Sequence, residues 1–168
     1  EDLEISVVEG EVLAFLGPNG AGKTTTIRML AGMIAPTSGY ARVAGIRTDK
    51  EPEKLHESIG LLTETPGFYN NLSAVFNLEY FAHFYPGLNV ESQVEKYLKI
   101  IGLWERRDDK VSTFSKGMKQ RLALVRTMIH EPRVLFLDEP TSGLDPEAAR
   151  EVREMIKGIS EQGRTVFL

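Results

Sequence analysis

The chain has 168 residues, 42% of them hydrophobic and 26% charged, which is ordinary globular composition with enough apolar material for one core. No apolar run approaches the roughly 20 residues that span a bilayer, so any membrane role has to run through a partner. The absence of cysteine excludes a disulfide framework and thiolate metal sites, and a formal net charge of -4 points away from direct nucleic-acid binding.

In chain order, the run Val12-Leu13-Ala14-Phe15-Leu16, closed by Gly17-Pro18, predicts a strand covered on both faces, as in a parallel sheet. A helix is predicted from Thr24 to Ala31, with Ile27, Leu30 and Ala31 on one face. The turn Pro36-Thr37-Ser38-Gly39 leads to a short strand over 40–43, a helical turn over 52–58 and a strand over 59–62. Between Ser73 and Arg106 the period becomes helical, with Val75, Leu78 and Ala82 on one face, then Val94, Tyr97, Leu98 and Ile101 on another. A further helix runs over 115–130 and stops before Pro132; a buried strand occupies 134–137; a last helix opens at Asp145-Pro146 with Val152, Met155, Ile156 and Ile159 facing inward. This alternation reads as an α/β fold with a helical excursion. Both ends look cut within strands, so the expected object is a domain truncated at both ends.

Gly17-Pro18-Asn19-Gly20-Ala21-Gly22-Lys23-Thr24 fits the GxxxxGK-Ser/Thr pattern and lies between a predicted buried strand and a predicted helix, the context this phosphate-binding loop requires. Glycines let successive backbone N–H groups point into one concavity, and the helix start adds a positive dipole end. Lys23 is expected to bridge the β- and γ-phosphates, Thr24 to ligate Mg²⁺, and Thr25 to lie in the same nucleotide site. Asp138 and Glu139 follow a buried strand at its C-terminal end, where ligands of open α/β sheets bind. Asp138 is assigned to Mg²⁺ and Glu139 to the attacking water, as general base or orienting carboxylate.

The helix that opens at Ser115-Lys116-Gly117-Met118-Lys119 is locally ill-suited to its place. A glycine in the first turn costs about 1 kcal/mol relative to alanine, and Lys116 and Lys119 set cations at the positive dipole end, each unfavourable by roughly 0.3–1 kcal/mol. A phosphate bound there compensates both; two lysines pointing into solvent is the bland alternative, and these residues alone do not choose.

The order of Gly17 to Thr24, then Phe114-Ser115-Lys116-Gly117-Met118 before a helix, then Leu135-Phe136-Leu137-Asp138-Glu139-Pro140, then Ser142-Gly143-Leu144-Asp145, resembles the Walker A, signature, Walker B and D-loop series of ABC-type ATPases. The resemblance covers nearly the whole chain. It implies a P-loop NTPase, RecA-like parallel-sheet core over 1–72 and 131–168, with a small antiparallel β subdomain and an inserted helical signature subdomain over 73–130. It implies ATP and Mg²⁺ as ligands, and a second ATP-binding domain, identical or related, paired head to tail. Ser115, Lys116 and Gly117 then meet the γ-phosphate held by Lys23 of the mate, with Asp145 in the D-loop between the sites.

Two departures from the family pattern matter. The usual signature is Leu-Ser-Gly-Gly-Gln, whereas the Ser-Lys-Gly-Met form is similar to that of drug-exporter-like and sodium-exporter-like ATPases, which implies export. Where the family commonly has a glutamine that reaches Mg²⁺ and reports to the membrane subunit, this chain has Glu64, followed by Pro66-Gly67-Phe68-Tyr69. The loop from Glu64 to Leu72 is the expected docking surface for a transmembrane permease subunit, with the ATPase peripheral on the cytoplasmic face of the membrane. The family's adenine-stacking aromatic and switch histidine do not match positions in this chain; His56, His83 and His130 read as surface or packing residues. The competing function is a soluble ABC ATPase acting on nucleic acid or ribosomes, which the acidic balance and the modest helical insertion disfavour. A GTPase needs an Asn-Lys-x-Asp or Thr-Lys-x-Asp guanine reader, and neither is present.

Overall fold

The computed structural model describes residues 3–18 and 20–168. Four strands form one parallel sheet: β1 (Val12–Leu13), β4 (Ile59–Leu62), β5 (Val134–Leu137) and β6 (Thr165–Phe167), in the order β1-β6-β5-β4. Parallel neighbours need crossovers, and the intervening helices supply them. The ladder aligns Ile59 with Val134, Val134 with Thr165, and Val12 with Val166. A second, two-stranded antiparallel sheet pairs β2 (Arg42–Val43) with β3 (Ile46–Arg47).

Alternation along the central strands divides the core in two. Leu135, Leu137, Leu62 and Val166 face the helices α3 (Ala74–Ala82), α4 (Val90–Ile100), α5 (Lys116–Met128) and α6 (Pro146–Glu161). Phe136, Phe167 and Ile59 face the other way, onto Ile27 and Ala31 at the end of α1 (Lys23–Leu30), Leu55 of α2 (Pro52–Ser58), and Val43 and Ile46 of the small sheet. Burying each large side chain of β5 contributes about 1.5–3 kcal/mol, so this strand anchors both halves. Among the described residues no helix is long and apolar enough to cross a membrane.

Helix starts follow local chemistry. Ser73, Asn89 and Asp145 each cap a helix by accepting the N–H of Phe76, Ser92 and Ala148 at 3.2, 3.1 and 2.9 Å. Pro52 and Pro146 occupy first-turn positions, where the missing N–H has no cost.

The sequence reading of residues 12–16 as covered on both faces needs correction. Leu13 and Phe15 pack on the core, but Val12 is 46% and Leu16 89% exposed. Strand β1 is the edge of the described sheet, and α6, the nearest helix on the open face, is committed to β5 and β6 through Val152, Ile156 and Ile159. An apolar cleft of about 660 Å³ remains between Val12, Ala14 and Leu16 on one side and Ile156 and Ser160 on the other. The strand expected over 40–43 shrinks to Arg42–Val43, because Tyr40 lies out on the surface against the guanidinium of Arg47, 4.7 Å from its ring centre.

At Gly60 the sheet packs tightly against α5. A Cβ placed there collides with the carbonyl oxygen of Thr127 and lies 2.7 Å from Leu135 Cδ2. Gly60→Ala is therefore expected to destabilise the fold by about 1–3 kcal/mol, the usual cost of overpacking. Urea or thermal unfolding checks this; an unchanged midpoint contradicts the packing described here.

Candidate functional site

The turn between β1 and α1 is shaped by two glycines. Gly20 and Gly22 have φ of 83° and 93°, a region that side-chain-bearing residues avoid, and no heavy atom lies within 4 Å of where their Cβ atoms would stand. The result is an open concavity beside a helix start. Among the described residues no side chain caps α1, and no acidic residue sits in its first turn, so its first N–H groups meet no side-chain acceptor. Lys23 folds back over it, donating from Nζ to the carbonyl oxygens of Gly17 at 2.7 Å and Pro18 at 3.1 Å. Ala21 closes the turn onto the Pro18 carbonyl at 3.1 Å. Thr24 and Thr25 are both exposed in the first turn. Asn19 lies outside the described residues.

One residue further, the Thr24 hydroxyl donates to Asp138 Oδ2 at 2.8 Å. Asp138 is buried at the C-terminal end of β5, held by its own N–H on the Leu62 carbonyl at 2.9 Å. The next residue turns sharply. Glu139 has φ of 48°, an unusual value for a side-chain-bearing residue, and its side chain is exposed on the cleft that Lys23 also borders. Two adjacent carboxylates thus have separate surroundings: Asp138 bonds to Thr24, and Glu139 meets solvent.

Glu64 reaches the same edge from the other side. It lines a cleft of about 290 Å³ together with Thr24, Asp138, Thr63 and Thr65. Among the described residues no group of three His, Cys, Asp or Glu side chains stands ready to hold a metal. A hydroxyl and a carboxylate oxygen in contact nevertheless suit Mg²⁺, a hard cation that prefers one or two protein oxygens, with substrate phosphates and water completing its shell.

The second candidate region is the start of α5. Ser115 caps it, its Oγ accepting the Met118 N–H at 3.2 Å, which leaves the hydroxyl proton free to donate outward. Gly117 is buried against Ala148; a Cβ there stands 2.8 Å from the Ala148 Cβ, so no larger residue fits. Lys116 is exposed, with its ammonium packed against Gly143. Asp145, three residues after Ser142, spends its carboxylate on the cap of α6.

Sequence reasoning misses the ties between these parts. Gln120 Nε2 donates to the Pro140 carbonyl at 2.7 Å, and Arg121 lies 3.4 Å from Glu151. The start of α5 is thereby fastened to the turn after Glu139. The two clefts bordered by Lys23, Thr24, Asp138 and Glu139 are lined by no residue of 114–118. Among the described residues neither of these two clefts joins the loop beside α1 to the start of α5. Of the histidines, His56 and His130 bond to the carbonyls of Ala31 and Ile59 at 3.1 and 2.9 Å, and His83 bonds to that of Glu79 at 2.6 Å. None stands at the phosphate loop.

Comparison with known proteins agrees with this geometry. Over its full length the chain is 43% identical to the bacitracin transport ATP-binding protein BcrA of Bacillus licheniformis, spanning 55% of that protein. Over 99% of its length it is 40% identical to the fluoroquinolones export ATP-binding protein MT2762 of Mycobacterium tuberculosis, spanning 54% of it. The chain thus covers about half of these relatives. A solved dimeric structure of the ATP-binding cassette MJ0796, in a post-hydrolysis state bound to ADP and Pi, superposes with a TM-score of 0.85 at 26% identity, covering 97% of this chain and 75% of that one. The fold is accordingly that of an α/β P-loop NTPase, and since residues 1–142 match the ABC transporter model, the chain belongs to the ABC transporter family.

Proposed function

We propose that the protein hydrolyses MgATP between two head-to-tail ATP-binding domains and thereby powers transport, in the export direction, through a membrane partner. The observation that carries this reading is the separation within one chain of two anion-ready helix starts, α1 behind Lys23 and α5 behind Ser115. A second copy, or a related domain, brings them together across the terminal phosphate. The names of the relatives, a bacitracin transport protein and a fluoroquinolones export protein, support the transport reading and its direction.

In this reading the N–H groups of Gly20, Gly22, Lys23, Thr24 and Thr25 hold the phosphates, with Gly17, Pro18 and Ala21 shaping the loop. Lys23 exchanges its two carbonyl partners for β- and γ-phosphate oxygens. Thr24 and Asp138 would hold Mg²⁺, with Glu64 on its far side; when bound, the ion neutralises and orients the phosphate oxygens. Glu139 orients and deprotonates the attacking water, and its backbone turn separates it from the metal-side carboxylate. Ser115, Lys116 and Gly117 of the mate close over the γ-phosphate, and Asp145 sets the turn that faces the other copy. The domain divides into an α/β part over 1–72 and 131–168 and a helical part over 73–130. It sits peripherally on the cytoplasmic face of the membrane, with the loop from Glu64 to Leu72 against the permease.

Three outcomes follow for the full-length protein. Lys23→Ala is expected to weaken MgATP binding by about 30-fold or more, the scale for truncating one partner of a desolvated charge pair; nucleotide titration measures it. Glu139→Gln is expected to bind MgATP, accumulate as a dimer and lose about 10²–10⁴-fold in kcat, the range attributed to general bases; hydrolysis at the unaltered rate removes Glu139 from that role. Ser115→Arg and Lys23→Ala are each expected to be inactive alone, while their mixture recovers turnover, because one interface of the mixed dimer keeps both halves. Full specific activity at dilutions where the protein is monomeric contradicts the shared site.

A further inference from the structure

The cleft of about 290 Å³ at the metal side contains a cation that the proposed chemistry does not use. Three ionisable side chains line it, Arg28, Glu64 and Asp138, so among the described residues Arg28 is its one positive charge. Arg28 stands four residues after Thr24 on α1, the spacing that sets two side chains one above the other on a helix face. The helix that presents the Thr24 hydroxyl therefore also presents this guanidinium. A cation in the last turn of a helix is favoured by the dipole alone; the dipole does not dictate that it share a cleft with two carboxylates.

Those carboxylates differ in how they are held. Asp138 is buried and accepts the Thr24 hydroxyl at 2.8 Å, with its own N–H on the Leu62 carbonyl at 2.9 Å. Glu64 is exposed, two residues beyond the end of β4, and the backbone around it is braced by the Thr63 hydroxyl, which donates to the Thr65 carbonyl at 3.2 Å. Arg28 is exposed as well, and among the described residues neither it nor Glu64 belongs to an ion pair. A carboxylate and a guanidinium that border one cleft attract each other, more strongly as water is excluded, and the flat fork of N–H donors matches two carboxylate oxygens. With a triphosphate seated, Asp138 and Glu64 add two negative charges to the same side while Lys23 is engaged on the phosphates, so a further cation is needed there.

We propose that Arg28 is the counter-ion of Glu64, a positioning residue that holds this carboxylate at the cleft when nucleotide is absent and competes with Mg²⁺ for it when nucleotide binds. The inference rests on the reading that Thr24 and Asp138 hold the metal with Glu64 on its far side. Glu64 then has two cations to choose between, a guanidinium present throughout and a metal present only with nucleotide. Part of its attraction to the metal is offset by the release of Arg28. Arg28 therefore raises the Mg²⁺ concentration that nucleotide binding requires, and it acts through Glu64 rather than as a distant positive charge.

The test uses the full-length protein, with binding of a fluorescent ATP analogue titrated against Mg²⁺, and with Mn²⁺ in its place and the bound ion read by electron paramagnetic resonance. Arg28→Gln exchanges one exposed, good helix former for another and is expected to melt near the parent temperature. It is expected to lower the half-saturating metal concentration by about 2- to 5-fold, the scale of an ion pair open to water, while Arg28→Lys, which keeps the charge, stays near the parent. In a Glu64→Gln background the same Arg28→Gln change is expected to have no further effect, because the pair is already broken. An unchanged or raised metal requirement in Arg28→Gln overturns the inference, and so does an equal shift in both backgrounds, the mark of a long-range field; in each case the MgATP reading stands. If the unaltered protein binds the analogue no better with Mg²⁺ than without it, the reading of the metal side itself falls, and this inference with it.

Discussion

Two helix starts in this chain are unmatched to their charge, and that mismatch organises the molecule. Helices α4 and α6 begin as isolated helices should, with Asn89 or Asp145 as cap and Glu91 or Glu147 in the first turn. Helices α1 and α5 have no acidic residue in the first turn and carry lysines there instead: Lys23 on one, Lys116 and Lys119 on the other. Each arrangement is unfavourable until an anion arrives, and one anion with several oxygens satisfies both. In the function proposed above, a second copy brings these two starts to one shared phosphate.

The parallel sheet sets the first position. β5 is buried on both faces, so its C-terminal end is fixed, and Asp138 emerges there in contact with Thr24. The αL turn at Glu139 then separates two neighbouring carboxylates into two environments. The second position is set by α5, which is fixed to the turn after Glu139 by Gln120 and to α6 by the close approach of Gly117 and Ala148. At its middle, α5 holds the Glu64 loop through Arg126. One helix therefore connects Ser115 at its start with the Glu64 loop, which Arg126 holds through the Gly67 carbonyl.

Much of this was legible in the residues. The strands over 59–62 and 134–137 and the helix over 52–58 appear with the bounds that apolar runs and proline positions predict. Thr24 and Asp138 could be placed at one sheet edge because a strand-loop-helix unit and a buried strand ending in Asp-Glu have a common geometry. What could not be read depends on contacts between distant segments. An apolar run looks the same whether one or both faces are covered, so Val12 and Leu16 misled. The positive φ of Glu139 has no glycine to announce it. Arg126 is one arginine among several on an amphipathic helix, and only the packed structure shows that two phenylalanines and a carbonyl surround it.

The account is tested most directly by a structure of the full-length protein carrying MgATP. It predicts a terminal phosphate held by Lys23 of one copy and approached within hydrogen-bond distance by the Ser115 hydroxyl of another. A terminal phosphate whose protein contacts all come from the chain that holds the nucleotide contradicts it.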